Sequence, residues 1–292
     1  MEQLIITGVP EHFNFPWLKV IAEQPFLSAG IELVWKNESK GSGAMNKAIR
    51  EEETDLAITL TESFIKDKVE GNPGRIIGWY VKSPLIWGVH LSGKCMETKL
   101  NSLQNVPFLI SRFGSGSHLM AYLLAKRENW DLSSLIFEEI GDLEGAKKSF
   151  ESSGPKLFLW EKFTTKPLVD AGLFKRIDEI PTPWPCFVIV ASKKAMEKYA
   201  KVLPELRDKV YQKAGIIKRT EGILEEMATF YAQKPEDLKS WLKDTFWAED
   251  SSMGEEELAN VFHNLVDLKI IERMEFKPNV FVEENFVNLI KP

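Results

Sequence analysis

Two stretches of the chain place a turn of Gly and Ser between an apolar extended segment and a helical pattern. In the first, the segment 32–36 leads into Gly41-Ser42-Gly43 and a helical run from Ala44 to Glu52. In the second, the segment 107–113 leads into Gly114-Ser115-Gly116-Ser117 and a helical run from His118 to Arg127. Such a turn exposes backbone N–H groups, and the helix behind it adds the positive end of its dipole. Each turn can therefore cradle one negatively charged group: Ser42 and Gly43 in the first, Ser115, Gly116 and Ser117 in the second. Arg112 lies just ahead of the second turn, and a guanidinium meets a carboxylate, phosphate or sulfonate in a bidentate way. His118 falls in the first turn of its helix, where the dipole disfavours protonation and leaves a neutral, hydrogen-bonding imidazole. The pair of turns points to two lobes gripping one small anionic ligand. The competing use of the same residues is purely local, as tight turns and helix caps.

Other residues bear on the same ligand. Glu62 follows Thr59-Leu60-Thr61 and can accept a hydrogen bond from a ligand amine or amide, or else complement the dipole of the helix it begins. Glu161, after Phe158-Leu159-Trp160, has the same two readings. Of nine Trp and eighteen Phe the majority must be core. The expected exceptions follow strands: His12 with Phe13, Trp160, and Trp184 between Pro183 and Pro185. Rings in such places can stack on a flat heterocycle. The four histidines have no metal-ligand spacing, and no catalytic residue, metal site or cofactor is expected. Neither Gly turn is a dinucleotide or P-loop fingerprint, and no nucleophile elbow occurs.

The elements that must hold these residues alternate. Strands are expected at 4–9, 31–36, 55–59 and 75–81, with helices near 16–24, 44–52 and 62–68. A second set has strands at 107–112, 135–140, 156–161 and 174–180, with helices at 118–129, 143–151 and 165–171. An apolar strand at 186–192 precedes a helical C-terminal third, in which Pro204 is expected to split one apolar stripe into two helices. The βαβ alternation implies mostly parallel sheets covered by helices. A net charge of −6 with dispersed Lys and Arg argues against nucleic acid as a partner. No apolar run reaches the length of a membrane span. Cys95 and Cys186 give no disulfide framework, which suits a reducing compartment.

The order of elements and several motifs resemble the type II periplasmic-binding-protein superfamily, in particular the branch of aliphatic-sulfonate- and thiamine-precursor-binding proteins. Carrying the resemblance are Gly8-Val9-Pro10, Gly41-Ser42-Gly43-Ala44-Met45, Thr54-Asp55-Leu56-Ala57-Ile58 with Thr61-Glu62, Ser83-Pro84-Leu85-Ile86-Trp87-Gly88-Val89, Arg112 to Ser117, and Phe158-Leu159-Trp160-Glu161. It implies a two-lobed α/β molecule with mixed, mostly parallel sheets and a helical C-terminal portion packed on the first lobe. Lobe 1 would comprise 1–90 and 190–292, and lobe 2 would be 91–189, with crossing segments near Gly88–Leu91 and Cys186–Ala191 as the hinge. It further implies a substrate-binding protein of the ABC-transporter kind, holding a small anionic, aromatic or heterocyclic ligand in an inter-lobe cleft, with a transporter as the possible partner. The alternative is a cytosolic enzyme on the same fold, in menaquinone- or thiamine-precursor biosynthesis. The N-terminus lacks the basic, apolar and cleavage pattern of a signal peptide, so the expected location is cytoplasmic, or periplasmic if a leader has been removed.

Overall fold

The computed structural model describes residues 1–152 and 154–291. The chain divides into two compact units, one of Met1–Ser83 with Trp184–Pro292, the other of Pro84–Pro183. In chain order the first unit opens with β1 (Glu2–Gly8), α1 (Phe15–Glu23), β2 (Ile31–Asn37), α2 (Ser42–Arg50), β3 (Leu56–Leu60), α3 (Thr61–Val69) and β4 (Arg75–Val81). The second unit comprises β5 (Ile86–Ser92), β6 (Phe108–Ile110), α4 (Gly116–Arg127), β7 (Phe137–Glu139), α5 (Leu143–Ser149), β8 (Leu157–Glu161), α6 (Lys166–Asp170) and β9 (Phe174–Pro181). The chain then returns to the first unit with β10 (Phe187–Ala191), α7 (Lys193–Lys198), α8 (Val202–Ile217), α9 (Ile223–Tyr231) and α10 (Pro235–Asp244). It finishes with β11 (Ser252–Gly254), α11 (Glu255–Asp267), α12 (Pro278–Phe281) and β12 (Asn288–Ile290).

The two units repeat one sheet plan. The first sheet runs β2-β1-β3-β10-β4 and the second β7-β6-β8-β5-β9. In each, three strands at one side are mutually parallel, and the fourth runs antiparallel to both its neighbours. Leu56, Ala57 and Ile58 of β3 and Val188 to Ala191 of β10 are fully buried, the continuous apolar run of a strand covered on both faces. A separate core of Leu109, Ala146, Phe150, Phe158 and Phe174 fills the second unit.

Two expectations are corrected. The segments 88–91 and 186–191 are interior strands, each within one unit, and the chain passes between units at Ser83/Pro84 and Pro183/Trp184 instead. The apolar residues Trp87, Val89 and Leu91 are buried in β5, so this segment has the burial of a central strand. Pro204 does not split the stripe: the break comes at Tyr199–Lys201, and Pro204 sits in the first turn of α8. There its missing N–H would have had no intrahelical acceptor. The C-terminal helices pack on the first unit, α8 against α1 and β4, and α11 against α3.

Candidate functional site

In the second unit the turn after β6 is held by its own side chains. Ser117 Oγ accepts from the Ser111 amide at 2.9 Å and lies 3.1 Å from Ser111 Oγ and 3.0 Å from Ser115 Oγ. Ser115 caps α4, its hydroxyl accepting from the His118 amide. His118 Nδ1 accepts from the Gly114 amide at 3.1 Å, and its ring packs edge-on against Phe113, Tyr122 and Phe137. Gly114 takes a φ of 76°, which a side chain would strain. Ser115 and Ser117 are thus buried parts of the turn, and the amides of Gly116 and Ser117 open the helix without an acceptor one turn back. Arg112 is half-buried, burial pulls its guanidinium below the ordinary value against the opposing charge of Glu139, and among the described residues it makes no hydrogen bond or close ion pair. Trp160 stacks on Phe158 with centroids 5.3 Å apart and covers the unit's core. Glu161 is buried and raised by burial, with Thr164 donating to it through both amide and hydroxyl.

In the first unit Ser42 plays a part like that of Ser117: its hydroxyl accepts from the Leu60 amide at 3.0 Å, tying the start of α2 to the end of β3. Gly41 has a φ of 77° and Gly43 follows in the first turn of α2. Glu62, 2% exposed, stands in the first turn of α3. Trp184 Nε1 donates to its Oε2 at 2.9 Å, while Oε1 is buried with no partner among the described residues. Burial pushes the Glu62 carboxyl up to about 7. Trp184 is itself buried, so the pair is internal to the unit. His12 is buried too, stacked on Phe13 and edge-on to Trp241 at 4.3 Å, and burial lowers its pKa to about 3.

The two Gly/Ser turns are not equivalent in the sheets. The Gly41 turn follows β2, an edge strand, whereas the Gly114 turn follows β6, one strand in. The counterpart of β6 is β1, and the loop after it, Val9 to Asn14, borders a cavity of about 480 Å³ within the first unit. Val9, Glu11, Asn14, Trp35 and Tyr231 are among its lining residues. Sequence reasoning missed these. Trp35 looked like an ordinary strand residue and Tyr231 part of a core stripe. Gly8 was the available signal: a Cβ there would lie 2.4 Å from the Trp35 ring.

Comparison with known proteins bears on the fold. The family model described as Ca3427-like periplasmic binding protein matches residues 87–180. No curated protein matches the chain in sequence. Among solved structures, the Candida albicans CA3427 gene product, described as having the generic periplasmic-binding-protein fold, superposes with a TM-score of 0.85 at 24% identity, over 96% of this chain and 93% of that one. The alkanesulfonate-binding protein SsuA of Xanthomonas axonopodis pv. citri, bound to MOPS, gives 0.76 at 10% identity over 99% of both chains. The periplasmic aliphatic sulphonate-binding protein SsuA of Escherichia coli gives 0.71 at 12% identity, over 98% of this chain and 99% of that one. By fold, then, the chain is similar to the periplasmic binding proteins, sharing the generic fold described for the CA3427 gene product.

Proposed function

We propose that the protein binds a small organic anion without covalent chemistry, the charged group being taken by Arg112 and the opening amides of α4. The observation that carries this is the Arg112 guanidinium, half-buried and without a hydrogen-bond acceptor among the described residues, in the turn that leads into the two helix-opening amides. A buried or half-buried cation is costly unless paired, so an anionic partner supplied from outside resolves the arrangement. The names of the solved neighbours, an alkanesulfonate-binding and an aliphatic sulphonate-binding protein, make sulfonates the first class to try. Carboxylates and phosphonates share the same recognition chemistry, and the body of the ligand is proposed to be aromatic or heterocyclic, a thiamine-type pyrimidine precursor included. We propose that the first unit shares this ligand and that delivery to an ABC transporter is its use.

A thermal-shift screen tests the reading. A ligand present at a hundred times its dissociation constant stabilises by about 2.7 kcal/mol, a rise of several degrees for a chain of this size. Alkanesulfonates, aromatic acids and phosphorylated pyrimidines should include at least one that raises the melting temperature, and their neutral analogues should not. A screen in which neutral compounds stabilise as well as their anionic counterparts would sink the proposal.

A further inference from the structure

The two five-stranded sheets end in β2, β4, β7 and β9, and the fold closes most of these edges to a further strand. β4 is met by isolated bridges from Val282 and Trp247. β7 is three residues long. β9 carries Lys175, Arg176, Asp178 and Glu179, and Arg127 Nη1 donates to its Glu179 carbonyl at 3.0 Å. A covered, short or heavily charged edge resists pairing with another chain. β2 is different: it is seven residues long, paired with β1 throughout, and apolar at Ile31, Leu33, Val34 and Trp35.

One side chain covers the middle of that edge. Gln24 Nε2 donates to the Leu33 carbonyl at 2.8 Å, and Gln24 Oε1 accepts from the Leu33 amide at 2.9 Å. These are the two bonds that a residue of a neighbouring strand would make. Nearer the start of β2, the Ile31 amide donates to the Phe26 carbonyl at 3.1 Å. Gln24 follows α1 with φ 47° and ψ 55°, the left-handed region where glycine is usual. A side chain is strained there, yet this one supplies both bonds to Leu33. Trp35, two residues on, turns its amide and carbonyl to the same side as Leu33, and among the described residues nothing is bonded to them there.

The strand is also complementary to itself. Set antiparallel with Val34 on the axis, Leu33 of each copy meets Trp35 of the other, and both turn their backbone groups outward to bond. Glu32 then lies opposite Lys36 on each side of the axis, at the closer, non-hydrogen-bonded spacing where opposite charges attract. We infer that the β2 edge is a latent pairing surface for a second copy of this chain, and that the Gln24 amide is a surrogate strand residue holding it shut.

Sedimentation equilibrium of the full chain and its variants tests this. Gln24→Gly suits the left-handed backbone and removes the amide, so it should fold and self-associate at least about tenfold more strongly than the wild type. Gln24→Asn tolerates the same backbone with an amide one methylene too short for Leu33, and it should behave alike. Adding Glu32→Lys to either sets like charges opposite each other and should return association to the wild-type level. Adding Lys36→Glu as well restores opposite charges, and association should recover. Folded Gln24→Gly or Gln24→Asn proteins that associate no more than the wild type overturn the inference. So does association that Glu32→Lys leaves undiminished, or that Lys36→Glu fails to restore. None of these substitutions touches Arg112, so the outcome leaves the anion reading to its own test.

Discussion

Glu62 and His12 show what burial does to single titratable groups in this protein. Glu62 is held at about 7 when folded against 4.5 as a free side chain. The unfolded chain therefore releases this proton first, and stability falls as pH rises from about 4.5 to 7. Each pKa unit is worth about 1.4 kcal/mol, so the full effect is on the order of 3 kcal/mol. His12, lowered to about 3, and His90, lowered to about 4, act in the other direction: they remain neutral when folded and cost stability as pH falls below 6.5. Denaturant melts of wild type and Glu62→Gln across pH 4 to 8 separate the two effects. The glutamine keeps an acceptor for Trp184, so the difference between the proteins should grow from pH 4.5 to 7 in favour of the variant and then level off. A difference independent of pH would mean that Glu62 is not a buried acid. Glu62 was legible in the sequence as a residue after a buried strand. That it pairs with Trp184 was not, because the two are brought together by the return of the chain, not by local pattern.

At the scale of elements, the strands and helices were legible wherever apolar periodicity was strong. The strand at 75–81 was read to the residue, and the burial of 187–191 matches its apolar run. The segment 86–92 was missed as a strand because a central position in a sheet leaves no alternation to read, and Gly88 and His90 interrupt its apolar run. The two Gly/Ser turns looked alike because each is strand, turn and helix. Their different places in the sheets depend on strand order, which adjacent sequence does not encode. Gly8 gives a prediction at this scale. It ends β1 and admits the Trp35 ring, and an added Cβ would also lie 2.9 Å from Asn14 Nδ2. Gly8→Ala should therefore destabilise by about 1–3 kcal/mol, the usual cost of overpacking a filled site. Chemical denaturation measures it, and a neutral result would show that Trp35 is free to move aside.

The whole molecule is one sheet plan used twice, with the chain entering the second unit at Pro84 and leaving it at Pro183. In both units a buried carboxyl lies at the carboxyl end of the third strand in sheet order, Glu62 beyond β3 and Glu161 ending β8. Both are raised by burial. The α/β alternation that restarts after residue 100 made a two-lobed molecule legible, and the fold likeness over nearly the full chain agrees with it. Less legible was which polar residues build turns and which stay available. Ser115 and Ser117 had the right chemistry for a ligand, yet the turn itself uses their hydroxyls, and among the described residues Arg112 has no hydrogen-bond acceptor. That residue decides the account. The most direct measurement is calorimetric titration of wild type and Arg112→Ala with whichever sulfonate, carboxylate or phosphonate raises the melting temperature most. Loss of one or more charge-assisted hydrogen bonds of about 1.5–3 kcal/mol predicts an affinity at least about tenfold weaker. The melting temperature of the free protein should stay where it was. An Arg112→Ala protein that folds and binds the anion with undiminished affinity would contradict the account.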